Sequence, residues 1–223
     1  MSRLAGRRVL VTDADELIGP EVVAVFRENG AEVLADRRDL TVPDAAAALI
    51  AEAGRVDVLV AHLAASIPGR LATESDDAEL DLMLDRLVRP LHRLTRAVLP
   101  QMQARRSGKI VVVGAGAALR GVPRRAVYSA ARAAQHGYVR AVAAEVAPDN
   151  VQVNATAQTF VENPTYFPAE YQGTAEFKDR MRQVPAGRLA SAREAATFLL
   201  TLAGPESDFL SGQVFPFTGG WIH

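Results

Sequence analysis

Arg8-Val9-Leu10-Val11-Thr12-Asp13-Ala14-Asp15-Glu16-Leu17-Ile18-Gly19 is the stretch that decides the fold. The run Arg8 to Thr12 is apolar, bounded by charge before it and by Asp13 after it, and reads as a buried strand. A short turn follows. Gly19 to Asn29 then carries Val22, Val23 and Phe26 at helical spacing, with Gly30 placed to close the helix. Strand, tight turn and helix make the first half of a β-α-β unit. Outward from it the alternation repeats to the end of the chain. Glu32–Ala35, Val56–Ala61, Lys109–Val113, Val151–Ala155 and Gln213–Phe217 read as strands. Ala45–Ala53, Glu79–Ala104 (bent at Pro90 and Pro100), Ala126–Val146 and Ser191–Leu202 read as helices. The pattern predicts one α/β domain over 1–223, a doubly wound parallel sheet with helices on both faces.

Bulk properties narrow the function. A chain of 223 residues suits one domain and buries roughly 70% of its unfolded surface, so it needs no staples. It has no cysteine, which excludes disulfides, thiol catalysis and zinc–thiolate sites. A net charge of −1 gives no global field for nucleic acid or a membrane surface. No apolar run approaches the roughly 20 residues of a membrane span, and Met1 to Gly6 lacks a signal-peptide core. The expectation is a cytoplasmic protein whose partner is a small-molecule substrate, with no nucleic acid and no membrane. His62, His92, His136 and His223 share no ligand spacing, so no metal site is expected.

One segment breaks the rhythm. Residues 158–182 hold Phe160, Pro164, Tyr166, Phe167, Pro168, Tyr171 and Phe177. A loop of about 20 residues in a compact domain is usually functional, and this one follows the carboxyl end of a strand, where such sheets bind ligands. It reads as a substrate-loop insertion. The competing reading is a hydrophobic flap packed on its own core.

The first turn is the natural seat of a dinucleotide, because backbone amides at a helix N-terminus cradle a pyrophosphate. Close approach demands glycine. Here Asp13 and Leu17 occupy two of the three glycine positions and only Gly19 remains. Asp13, Asp15 and Glu16 add negative charge at an anion site. Asp36, at the end of the second strand, could hold an adenosine ribose, and Arg37 and Arg38 could suit a 2′-phosphate instead.

Several stretches together carry a family resemblance. The turn has the spacing Thr-Gly-x-x-x-Gly-x-Gly, Val56-Asp57-Val58-Leu59-Val60-Ala61-His62-Leu63-Ala64 is similar to an "IDVLVNNAG" stretch, Tyr128-x-x-x-Arg132 resembles Tyr-x-x-x-Lys, and Ser211 to Gly220 resembles a closing strand. In this order they resemble the short-chain dehydrogenase/reductase superfamily, which implies a Rossmann-like fold. Within it, Tyr-x-x-x-Arg, Arg89-Pro90 and Asn163-Pro164-Thr165-Tyr166-Phe167-Pro168 resemble the halohydrin dehalogenases. Those enzymes lack a nicotinamide cofactor and hold a halide where nicotinamide would lie. The resemblance implies catalytic Tyr128 and Arg132, and a substrate and halide pocket formed by Thr12, Leu17, Gln158, Thr159, Phe160, Tyr166 and Phe167. It also implies no cofactor; the alternative is NAD or NADP, through Gly19 and Asp36. There are departures. The family serine, 13 residues before the tyrosine, is Ala115, and Gln158-Thr159-Phe160 stands where the dehalogenases have Pro-Asn-Tyr-like residues. The helices 79–104 and 126–146 correspond to the resembled family's subunit interface, which implies a homotetramer or homodimer; Trp221 reads as packing or subunit contact.

The pair has a chemical logic of its own. Four residues apart on a helix, Tyr128 and Arg132 share a face. Arginine stays protonated, its charge favours the phenolate, and the tyrosine becomes usable as a general base. In halohydrin chemistry it takes the alcohol proton, the alkoxide closes an epoxide, and halide leaves. Three functions follow: a cofactor-independent halohydrin dehalogenase-like enzyme, an NAD(P)-dependent oxidoreductase acting on a small alcohol or carbonyl, or a catalytically inactive ligand-binding relative.

Overall fold

A computed structural model describes residues 2–66 and 68–222, so the expectation for His223 lies outside the described residues. The elements run β1 (Arg8–Val11), α1 (Gly19–Glu28), β2 (Glu32–Ala35), α2 (Ala45–Ala53), β3 (Val58–His62), α3 (Asp77–Met83), α4 (Arg89–Arg105), β4 (Gly108–Ala115), α5 (Ala126–Val146), β5 (Val151–Gln158), α6 (Ala169–Gln172), α7 (Ala175–Met181), α8 (Ala192–Ala203) and β6 (Val214–Phe217). The strands form one sheet in the order β2-β1-β3-β4-β5-β6, and every pairing is parallel. The order reverses between β1 and β3, so the first turn sits at the switch point, where doubly wound sheets bind ligands.

Alternation along the strands builds two cores. Leu10, Leu59, Ala61, Ile110, Val112 and Val153 face α2, α4 and α5. Val9, Val11, Val58, Val60, Val111 and Val113 face α1 and α8. Both faces being covered explains why the strands read as unbroken apolar runs. Burying each such side chain contributes about 1.5–3 kcal/mol.

Three local differences from the sequence expectation bear on the site. First, β4 and β5 run further than their β-branched cores, to Ala115 and Gln158, and these two residues are register partners. Second, the long helix is α3 and α4 joined by a π turn over Leu84–Val88. Pro90 follows within one helical turn; it has no N–H and its ring crowds the carbonyl four residues back, so a widened turn there relieves the conflict. Pro100 sits inside α4 without ending it. Third, the segment 158–182 is not structureless. It carries α6 and α7, and its Phe160, Phe167 and Met181 form a third apolar cluster with Val184, Leu189 and Trp221.

Candidate active site

The carboxyl ends of β3 and β4 meet the N-terminal half of α5, through Leu63 and Val113. Tyr128 and Arg132 lie one turn apart on that helix, as their spacing requires. The Arg132 Nε–H donates to the Tyr128 hydroxyl at 3.2 Å. Its guanidinium is buried and donates from Nη1 to Val113 O and to Gln135 Oε1, both at 3.0 Å, and from Nη2 to Leu63 O at 3.0 Å. Each of these acceptors is neutral. A buried cation without a carboxylate is costly unless fully hydrogen-bonded, and these four bonds meet most of that requirement.

Tyr166 closes the site from the insertion. Its hydroxyl donates to Ala65 O at 2.8 Å. Burial raises its pKa above the usual phenol value, and the nearby Tyr128 adds to the rise. Ala115 is buried at the end of β4. Next to it, a Cβ on Gly116 would lie 3.1 Å from Ile222 Cδ1 and 3.5 Å from Thr159 Cβ. Thr159 and Phe160 line a cleft of about 200 Å³ shared with Val184, Arg188, Phe217 and Thr218. Neither Tyr128 nor Arg132 is in its lining, so the pair does not face this cleft. Phe160 and Phe167 are buried in the aromatic cluster, with Phe160 edge-on to Trp221 at 5.6 Å.

Thr12 is corrected by the structure. It is buried, and its hydroxyl donates to His62 O at 2.7 Å. The hydroxyl ties the end of β1 to the end of β3 rather than facing a pocket.

Residues 3–222 match the family profile described as Enoyl-(Acyl carrier protein) reductase. A 3-oxoacyl-[acyl-carrier-protein] reductase of Vibrio cholerae is 30% identical, over 97% of this chain and 98% of the relative. The chain belongs to the short-chain dehydrogenase/reductase superfamily. A solved structure titled "Dehalogenation enzyme" superposes with a TM-score of 0.92 at 30% identity, covering 99% of this chain and 100% of that one. A 3-oxoacyl-[acyl-carrier protein] reductase from Brucella melitensis, solved with bound NAD, superposes with a TM-score of 0.86 at 25% identity, covering 99% and 95%.

Two solved relatives hold a dinucleotide, one NAD and one NADP; in this short-chain dehydrogenase/reductase the first turn is where the pyrophosphate of such a cofactor would sit. Asp13 and Leu17 have φ of +44° and +47°, the left-handed region that glycine adopts freely and leucine does not. Gly19 is irreplaceable: a Cβ there would lie 2.6 Å from the carbonyl oxygens of Asp13 and Ala14. The turn therefore keeps its glycine shape while carrying side chains. The Asp13 carboxylate accepts from Ala64 N at 2.7 Å; burial raises its pKa, and the Ala64 hydrogen bond works against that. Asp36 is buried, and Arg38 Nε donates to it at 2.7 Å. Arg38 also pairs with Glu52, and Arg37 pairs with Asp15. Asp36 Oδ1 and both candidate phosphate partners are thus engaged by ion pairs, while Asp36 Oδ2 is buried without a hydrogen-bond partner among the described residues; it is Asp13 and Leu17 that fill the turn. These residues do not fit a pyrophosphate cradle.

Two features of the site were not found from the sequence. Gln135 is fully buried beside Arg132. A polar residue at i+3 on the apolar face of α5 was the available signal. Arg120 lies with its guanidinium 4.6 Å from the Trp221 ring centre and donates to Trp221 O at 2.8 Å; nothing in the spacing pairs residues 101 positions apart. Among the described residues no group of three His, Asp or Glu side chains is arranged to hold a metal ion, and no helix is long and apolar enough to cross a membrane.

Proposed function

We propose that this protein is a cofactor-independent, halohydrin dehalogenase-like enzyme that closes a vicinal haloalcohol to an epoxide. The observation that carries the reading is the first turn, where Asp13 and Leu17 stand in the dinucleotide cradle, beside an intact Tyr128–Arg132 pair. The likeness to a solved dehalogenation enzyme supports it. The Tyr128 oxygen takes the alcohol proton. The alkoxide oxygen forms a bond to the neighbouring carbon, the carbon–halogen bond breaks, and the halide carries away the electron pair. Arg132 holds the tyrosine oxygen in place through Nε. No hydride moves.

Halide release from a panel of small haloalcohols tests this. The parent protein should release halide, and Tyr128→Phe should reduce release to background. A folded parent that releases none across the panel overturns the reading. The second reading, an NAD(P)-dependent oxidoreductase, is favoured by the reductase relatives and the bound NAD in one of them. Calorimetry with NADH and NADPH separates the two. Binding at about 10 μM or tighter, roughly 7 kcal/mol, would favour the oxidoreductase.

A further inference from the structure

Gln135 is fully buried on α5 and makes two directed hydrogen bonds. Its Oε1 accepts from Arg132 Nη1 at 3.0 Å. Its Nε2 donates to Leu87 O at 2.8 Å, and Leu87 lies within the π turn between α3 and α4. The reverse amide orientation would set two donors against each other, so only this one satisfies the network. π turns inside α-helices are frequent at functional sites. Here the turn anchors the far end of an amide that reaches the guanidinium.

We propose that Gln135 is a positioning residue: it suspends Arg132 from the Leu87 carbonyl so that the guanidinium stays against Tyr128 with its charge unneutralised. This rests on the reading of Tyr128 and Arg132 as the working pair, and on no particular substrate. A carboxylate at 135 would have made a buried ion pair and spent the charge of Arg132 on itself. An apolar residue would leave one N–H of Arg132 without the acceptor that Gln135 Oε1 gives it, a buried donor that is costly to leave unmet. Glutamine avoids both.

The other titratable groups around the pair do not compete for the charge. Tyr166 faces it from the insertion and bonds Ala65 O. His62 on β3 and His136 on α5 are both pushed down to about 4, first by burial, with Arg132 contributing; both are neutral near pH 7. Asp85 in the π turn is ion-paired with Arg89, and Arg125 stands at the start of α5, within electrostatic range of Tyr166.

The test uses tyrosinate absorbance near ~295 nm in a pH titration of the whole protein. The chain has four tyrosines, so the part of the signal lost in Tyr128→Phe isolates Tyr128. Gln135→Glu should move that part to higher pH, because a carboxylate neutralises the guanidinium. Gln135→Met, close in volume and without polar atoms, should move it in the same direction, because the guanidinium is no longer held. Either folded variant titrating Tyr128 like the parent overturns the proposal. The readout needs no turnover, so a parent that releases no halide would sink the dehalogenase reading while this result still decides the role of Gln135.

Discussion

Ala115 occupies the end of β4, the position of the serine in the resembled family; under the proposed function a hydroxyl there would hydrogen-bond the substrate oxygen. Removing one oxyanion-type donor from an enzyme costs roughly 2.7–4 kcal/mol, so its absence should limit the rate. Restoring it by Ala115→Ser is expected to raise haloalcohol turnover about 10-fold or more, even with imperfect geometry. Tyr128→Phe in the same background should erase the gain, and a folded Ala115→Ser variant with no gain over the parent would refute the expectation. A second residue, His136, predicts a pH effect. It is buried against Gly114, and neither ring nitrogen has a hydrogen-bond partner among the described residues. Burial is the main cause of its fall to about 4, ahead of Arg140 and Arg132. Since the folded value lies below the unfolded one, near 6.5, the unfolded chain binds more protons between these values. Stability therefore rises with pH from about 4 to 6.5 and falls on acidification through the same window. His136→Leu should flatten the acid side of a plot of Tm against pH and leave Tm at pH 8 equal or higher. A slope as steep as the parent's would show that His136 is not responsible. The meeting of Tyr128 and Arg132 was legible in the sequence, because an i, i+4 pair needs only a helix to come together. Thr12 and Gln135 were not, because a hydroxyl turned to His62 O and an amide turned to Leu87 O depend on which strand and which helix come alongside.

At the scale of elements, the first turn is where sequence and structure differ most usefully. The glycine spacing locates the turn, and the sheet order puts it at the switch point. Spacing does not reveal that Asp13 and Leu17 keep left-handed backbones. That follows from the packing that surrounds them, with Gly19 against the Asp13 and Ala14 carbonyls and the Asp13 carboxylate on Ala64 N. A left-handed leucine costs about 1–2 kcal/mol, so the turn is held in a shape that two glycines would adopt freely. The double variant Asp13→Gly, Leu17→Gly removes a carboxylate and a branched side chain from the cradle without asking the backbone to move. It should bind NADH at least 10-fold more tightly than the parent in a nicotinamide fluorescence titration. Equal affinity in the two would mean that these side chains do not set the cofactor preference. The insertion shows the opposite balance. Its aromatic content was evident from the sequence, but α6 and α7 were not, since four and seven residues are too few for a periodic signal. It packs as a cluster of its own, Phe160 and Phe167 against Trp221, and it sets the Tyr166 hydroxyl on Ala65 O; a substrate-binding role for it belongs to the proposed function.

At the scale of the whole molecule, the six-stranded parallel sheet was readable from the alternation of apolar runs and helical patterns, because burial on both faces leaves an unmistakable strand composition. Assembly was open to the sequence only through resemblance, and the structure now gives it a physical argument. The outward face of α5 is made of Ala130, Ala133, Ala134, Gly137, Ala141 and Ala144, all exposed in the single chain, with Arg140 and Glu145 as the charged residues beside them. A helix face that meets only water ordinarily carries charged and polar side chains. Gly137 sharpens the point. It lies in the middle of a 21-residue helix, where glycine costs about 1 kcal/mol relative to alanine. A Cβ there would meet nothing within 4 Å in the chain itself, so nothing within one subunit calls for glycine. Close approach of a second α5 would. The protein is therefore expected to elute as a multiple of its 23.9 kDa chain mass in size-exclusion chromatography with light scattering. Gly137→Arg should shift it to a smaller species while leaving the far-ultraviolet circular dichroism unchanged, since the new side chain has room in the isolated subunit. Gly137→Ala is the control: if the helix faced only solvent, it would raise Tm by restoring helix propensity. A parent that elutes as a monomer, or a Gly137→Arg variant that assembles like the parent, would remove α5 from the interface.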